Sequence, residues 1–408
     1  MPRLISTSRR SGVEWAVRSA LALTAAALGY ASVAHTLGYT LRASATERAH
    51  VLAPGDGRIT ALMAQRLAAI NASAVDRRRA DALARDALLQ DPTAVAAVST
   101  LGLDAQRAGN TASAQRLFSY AEKLSRRELL TQMWAIEDAA GRGDLPAALH
   151  HYDVALRTSR NVYKVLFPVL ASAISNPDIR DAMLKTMMGR PIWGPSFVNY
   201  ASANAESHAT IQLFQSMARA GLAVTDEPRA RVVSAMIRQG RAKSAWLYYK
   251  TFHNTADPRI SRDARFTADL ALPTPFDWVV VNDDGVSASI QRNGHAGIFD
   301  FAAPPSVGGA MLRQVQILPP GAYRLVGHSM GIDQDASVRP YWLLSCNDGR
   351  ELGRVDMPNS TQAKGRFGGR LAVPADCPVQ SLTLVARPTD NAAGLSGQID
   401  WVRLAPVR

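Results

Sequence analysis

A recurrence of 34 residues constrains this chain more than any other feature of its sequence. Gly109 and Gly143 stand one interval apart, as do Ala105 and Ala139, Ala114 and Ala148, Phe118 and Tyr152, and Ala121 and Ala155. One interval before Ala114 and Ala121 lie Ala80 and Ala87, and that first copy closes on Asp91-Pro92. A period of this size with small residues at fixed offsets predicts helical hairpins stacked side by side from about Ala61 to Asn161. Small side chains are required where the helices of a hairpin approach closely. A bulky residue at Ala114 or Ala148 would hold them apart.

The pattern resembles the tetratricopeptide repeat over about a quarter of the chain. In the best copy, Leu101-Gly102, Ala105, Ala114, Phe118 and Ala121 match that family's positions. The first copy keeps Leu67, Ala68, Ala80, Ala87 and Pro92. The third keeps Ala135, Ala139, Ala148, Tyr152 and Ala155, with Ile136 where Gly is expected and Arg160 where Pro is expected. The resemblance implies an α-solenoid whose concave groove holds a protein partner, with no chemistry of its own. It also implies that first-helix residues line the groove, here Gln65, Ser99, Gln106, Arg107, Met133 and Glu137. The alternative is an irregular bundle of Ala-rich hairpins. Further on, Gly240 to Ala245 repeats the step from Gly109 to Ala114, which extends the repeat region to residues 61–265. Trp246, Tyr248, Tyr249 and Phe252 follow, and large aromatics so placed are expected to pack against a neighbouring element.

Ahead of the repeats, residues 19–41 contain no Lys, Arg, Asp or Glu. About 20 residues suffice to cross a hydrocarbon core as one helix. Residues 1–18 carry Arg3, Arg9, Arg10 and Arg18 against Glu14 alone, so they are expected on the cytoplasmic side and everything after Arg42 on the other. A cleaved signal with a Ser32-Val33-Ala34 processing site competes with an uncleaved anchor. The length of the uncharged run favours the anchor. A buried soluble helix is the third reading. Ser8-Arg9-Arg10 lacks the apolar residues that a twin-arginine signal needs immediately after it. Residues 42–60 read as a linker, because Ala53-Pro54-Gly55-Asp56-Gly57 breaks any helix.

At 408 residues the chain exceeds one ordinary core, and a hydrophobic content of 47% supplies ample apolar surface for two. The net charge of +12 rests on 40 Arg against 6 Lys, which does not by itself indicate nucleic-acid recognition. Residues 1–44 carry +4, residues 45–271 carry +8, and residues 272–408 are neutral. A basic helical part can attract an acidic polysaccharide, although most such faces are simply solvated.

At Leu272-Pro273-Thr274-Pro275 helical periodicity gives way to short β-branched and aromatic runs, with Gly or Pro every 8–12 residues. Nine such runs predict an antiparallel β-sandwich over residues 272–408, most readily a jelly roll. They are 278–282, 286–290, 297–301, 312–318, 323–327, 341–346, 371–373, 382–386 and 399–404. The stretches Leu318–Leu325 and Gly397–Leu404 resemble strands of galactose-binding or carbohydrate-binding jelly rolls, which implies glycan contact. Trp278, Tyr341, Trp342 and Trp401 are the candidate stacking residues, although aromatics in apolar strands more often pack in a core. Cys346 and Cys377 are the only cysteines, and they are expected to pair if this part of the chain is exported.

Catalytic signals are sparse. Gly327-His328-Ser329-Met330-Gly331 matches the G-x-S-x-G elbow, but a loop follows it and His328 is the last histidine, so the order Ser, acid, His fails. No zinc spacing and no phosphate-binding glycine loop is present, and no cofactor is expected. Asp333-Gln334-Asp335 and Asn347-Asp348-Gly349 could ligate Ca²⁺, but surface turns use the same residues. The combined expectation is a multidomain α and β protein: a transmembrane helix, a solenoid and a jelly roll. In function it reads as a non-enzymatic periplasmic scaffold of the bacterial inner membrane. That arrangement resembles repeat proteins that accompany exopolysaccharide or surface-polysaccharide export. A carbohydrate-active enzyme and a lectin-like binder are the alternatives.

Overall fold

The computed structural model describes residues 12–407 except 70, 160, 283–284, 294–295, 389–391 and 393. Arg3, Arg9, Arg10 and Arg160 therefore lie outside the described residues. The chain forms two compact units, one ending at Leu166 and the other starting at Phe167. The division falls within the helical half, well before the change of composition at Leu272.

The first unit begins with α1 (Gly12–Leu41) and α2 (Thr46–Leu52). Three hairpins follow: α3 (Gly57–Leu67) with α4 (Ala74–Gln90), α5 (Val95–Arg107) with α6 (Thr111–Leu124), and α7 (Leu129–Gly141) with α8 (Leu145–Thr158). The recurring alanines Ala80, Ala114, Ala148, Ala87, Ala121 and Ala155 are all buried. Gly102 has the same cause, since a Cβ there would come within 3.0 Å of the Phe118 ring.

One turn device generates the period. After α5, Gly109 adopts φ +76°, its N–H donates to Gln106 O, and the Asn110 N–H donates to Ala105 O. This is a Schellman closure, in which a left-handed residue satisfies the last carbonyls of a helix. Asn110 then accepts from Ser113 N and caps α6. Gly143 and Asp144 do the same between α7 and α8. The first hairpin departs from the pattern. Six residues rather than three separate α3 from α4, and α3 opens four residues earlier than the period requires, so Leu67 and Ala68 fall at its end. Residues 42–60 are not a free linker either. They hold α2, whose Ala49 is fully buried, and the Asp56 side chain caps α3 through Arg58 N and Ile59 N.

The division falls inside α9 (Tyr163–Ala173), and the second unit continues with α10 (Pro177–Met188), α11 (Gly194–Asn204), α12 (Ser207–Arg219), α13 (Asp226–Arg238) and α14 (Ala242–Tyr249). Gly240, at φ +74°, closes α13 ahead of α14 with the same pair of hydrogen bonds, and Gly221, at φ +77°, closes α12 in the same way.

Among the described residues ten strands follow: β1 (Val279–Val280), β2 (Ser287–Asn293), β3 (Ala296–Ala303), β4 (Gly309–Gln316), β5 (Gly321–Met330), β6 (Tyr341–Cys346), β7 (Glu351–Asp356), β8 (Arg366–Val373), β9 (Gln380–Ala386) and β10 (Leu395–Pro406). They pair antiparallel into sheets of order β1-β4-β9-β6-β7 and β2-β3-β10-β5-β8. Without the edge strands β1 and β2, the orders β4-β9-β6-β7 and β3-β10-β5-β8 are those of an eight-stranded jelly roll. Phe299, Phe301, Leu325, Trp342, Leu344, Leu384 and Ile399 fill the space between the sheets. The strand missing from the sequence reading is β7. It is an edge strand paired to β6 alone, so its charged residues need not alternate with apolar ones. Cys346 at the end of β6 is bonded to Cys377 in the turn before β9, with Cα atoms 5.7 Å apart.

Candidate functional site

The first helices α3, α5 and α7 bring several of the expected groove residues onto one connected face. Gln65 Nε2 donates to Glu128 Oε1 at 2.8 Å, while Glu128 Oε2 accepts from Thr131 N and caps α7. Arg107 Nη2 donates to the carbonyls of Ala68 and Ala69, beyond the end of α3. Trp134 Nε1 donates to Gln106 Oε1 at 3.3 Å, and its ring stacks on Phe118 at 4.5 Å. Gln106 and Glu137 are exposed, and Met133 and Trp134 are half-buried. Met133 and Glu137 are four residues apart on α7 and therefore neighbours on its surface.

Ser99 does not belong to this face. It is fully buried, and its hydroxyl donates to Ala96 O inside α5. The N-terminal half of α5 is covered on several sides, so counting first-helix positions places Ser99 wrongly. Arg107 also reads differently now, as a group that satisfies the open carbonyls following α3. Trp134 and Glu128 were missed. The signal available for Trp134 was a large aromatic within a helix of mostly smaller residues.

In the sandwich, Trp278 and Trp342 are core residues, 4% and 0% exposed, with ring centroids 5.7 Å apart. Neither can stack on a sugar, because both point between the sheets. Tyr341 faces outward, but the guanidinium groups of Arg354 and Arg387 each lie 4.6 Å from its ring centroid. Those cations are held in turn by Glu351 and Asp356. Trp401 alone of the four is half-exposed without such cover. The register shift between Ile399 and Trp401 leaves Asp400 and Trp401 at the surface, while Ile399 and Val402 remain in the core. Across the strands, Trp401 pairs with His328, and His328 pairs with Arg366. His328 Nδ1 lies 2.8 Å from Asp400 Oδ1.

Ser329 is 1% exposed and faces the opposite side of β5 from His328, within a continuous strand. The elbow geometry is therefore missing. Asp348 accepts from Arg350 N, and Gly349 takes φ +87°, which makes this stretch the tight turn between β6 and β7. Gln334 is turned inward between exposed Asp333 and Asp335. Among the described residues, no group of three or more His, Cys, Asp or Glu could hold a metal ion.

Sequence reasoning also missed a buried polar joint inside the second unit. Arg262 donates from Nε to Phe276 O and from Nη2 to Val315 O, and lies 5.0 Å from the Trp246 ring. Burial pulls its pKa down to about 10. The Tyr249 hydroxyl donates to Asp277 Oδ1 at 2.6 Å, and burial followed by the Asp277 charge pushes the Tyr249 pKa up. Trp246 also meets Phe276 edge-on at 5.1 Å. The aromatic cluster thus packs against the lead-in to the sandwich. An apolar cleft of about 480 Å³ in the same unit is lined by Met187, Pro191, Val198, Met217, Leu222 and Pro228.

No known family model matches the chain. No curated protein matches it. Several solved structures share local likeness. The enzymatically active domain of tailspike protein 4 of bacteriophage CBA120 is 11% identical with a TM-score of 0.26, over 37% of this chain and 22% of that one. A carbohydrate-binding module of the β-sandwich superfamily is 16% identical with a TM-score of 0.19, over 29% of this chain and 51% of that one. The human IFIT1 dimer is 16% identical with a TM-score of 0.24, over 56% of this chain and 64% of that one. The chain spans less than two thirds of each. Likeness at this level carries no functional argument, so function rests on the surfaces themselves.

Proposed function

We propose that the protein is a non-enzymatic scaffold, anchored by α1 in a bacterial inner membrane, which captures a protein partner on the α3–α5–α7 face of its periplasmic repeat unit. The observation that carries this reading is the lateral chain of contacts Gln65–Glu128 and Gln106–Trp134, which aligns the three first helices and leaves Glu137 exposed beside half-buried Met133 and Trp134. Stacked hairpins use such faces for partners. The Cys346–Cys377 bond and the length of α1 support export. By analogy with the repeat proteins that its sequence resembles, the reading places it beside polysaccharide export machinery.

Crosslinking in intact cells followed by identification of captured proteins tests the scaffold. Met133→Ala with Glu137→Lys should reduce capture at least tenfold and leave the melting temperature unchanged, since neither residue is in the core. Arg107 is left intact because of its role after α3. Undiminished capture counts against this face.

A second reading is favoured by Trp401 and its polar neighbours: the sandwich contacts an acidic polysaccharide. The open part of the Trp401 ring and the exposed guanidinium of Arg366 suit a charged sugar. Trp401→Ala should then abolish retention on an immobilised uronate polymer. Equal retention of the variant removes the glycan contact from this face.

A further inference from the structure

The uncharged run places the membrane span at residues 19–41, but the packing of α1 moves it. The helix is unbroken from Gly12 to Leu41, 30 residues, or about 45 Å at 1.5 Å per residue. A hydrocarbon core is only about 30 Å thick. The surplus lies at the C-terminal end, where α1 is part of the folded unit. Ala34 and Gly38, one turn apart, are its only buried residues. Gly38 lies so close to its neighbours that a Cβ there would be 3.2 Å from Ala53 Cβ and 3.4 Å from Ile59 Cδ1. His35 Nδ1 lies 3.8 Å from Asp56 Oδ2, in the carboxylate that caps α3. Thr46 Oγ1 donates to Arg42 O and fastens α2 to the end of α1.

These neighbours cannot enter lipid. α2 carries Glu47, Arg48 and His50, and the turn before α3 carries Asp56. A span ending at Leu41 would draw them into hydrocarbon, where a charged side chain costs several kcal/mol. From Gly12 to Val33, by contrast, Val13, Trp15, Val17, Leu21, Leu23, Leu28, Tyr30 and Val33 are exposed around the helix. That stretch includes Trp15 to Val33, 19 residues or about 28 Å, which matches the thickness to be crossed. Its two charges lie in the first two turns and pair with each other, Arg18 Nη2 at 3.2 Å from Glu14 Oε1. A long Arg side chain there can reach the interface, and Trp15 suits the headgroup level.

We infer that lipid surrounds α1 only from about Trp15 to Val33, and that Ala34–Leu41 is a rigid stalk, outside the bilayer, locked to the first hairpin. This rests on the anchor reading and sharpens it, because it leaves no free linker between membrane and repeats. The test uses full-length protein in the membrane of a Gram-negative host, with single substitutions Leu21→Cys, Leu28→Cys, Thr36→Cys and Leu37→Cys. Thr36 and Leu37 are exposed, so neither substitution disturbs the packed face. The native cysteines are bonded on export and buried in either orientation, so they do not compete. A membrane-impermeant maleimide is applied to spheroplasts and to lysed membranes.

The stalk predicts strong labelling at positions 36 and 37 in spheroplasts, and at least tenfold less at 21 and 28 in both preparations. Protection of positions 36 and 37 in both preparations overturns the boundary while leaving the anchor standing. Labelling of all four in protein that carbonate extracts from the membrane overturns the anchor, and the stalk with it. Labelling of 36 and 37 only after lysis supports the boundary and overturns the exported orientation.

Discussion

Trp342→Ala is expected to lower the stability of the C-terminal unit by about 3–5 kcal/mol, the usual cost of removing a large aromatic from a packed core. Trp342 is fully buried, packs against Trp278 and lies in β6, the strand between β9 and β7. Removing it leaves a cavity that two hydrogen-bonded sheets cannot close. For a unit of this size the melting temperature should fall on the order of 10 °C, read by calorimetry on the full chain in detergent. Trp401→Ala should cost only about 1 kcal/mol, because that ring is half-exposed and its truncation opens no void. The pair of results separates structural tryptophan from surface tryptophan. A Trp342 variant that melts with the wild type would mean that the residue is not in the core.

Replacing both Cys346 and Cys377 by serine should cost about 3–4 kcal/mol in the chain-entropy account, for a closed loop of about 30 residues. The bond joins the end of β6 to the turn before β9, so its loss frees β7, the intervening loop and edge strand β8 together. Cys377 is also part of a buried polar site, with its carbonyl accepting from Gln380 Nε2 and Gln380 Oε1 accepting from Leu318 N. Local disorder should therefore spread to the β4–β5 connection, and proteolysis of the serine variant should begin between residues 346 and 377. Reduction of the wild type should reproduce the shift. Equal melting of oxidised and reduced protein would remove the bond from the account of stability and weaken the argument for export.

The hairpins were legible because their cause is local. Glycine in the left-handed region followed by Asn or Asp ends one helix and caps the next, and both requirements are written in adjacent residues, at Gly109-Asn110 and Gly143-Asp144. The alanines that let helices approach recur for the same reason. The jelly roll was legible as a class, since its strands alternate and its turns carry Gly and Pro. β7 escaped because an edge strand has only one neighbour to satisfy, and the extended first connection escaped because nothing within it breaks the pattern of later copies.

The candidate surfaces were only half legible, for a different reason. Residue type marks an aromatic as able to stack but does not say which of four aromatics is covered. Trp278 and Trp342 went inside, Tyr341 was taken by two arginines, and a one-residue slip in β10 left Trp401 out. Likewise, helix position alone put Ser99 in a groove from which α5's own neighbours exclude it, and charge alone put the end of the membrane span at Leu41. Periodicity, turn chemistry and capping act over a few residues, so order along the chain specifies them. Burial, ring cover and the point where a helix leaves lipid depend on residues far away in sequence, and those become known only when the folded neighbours are in place.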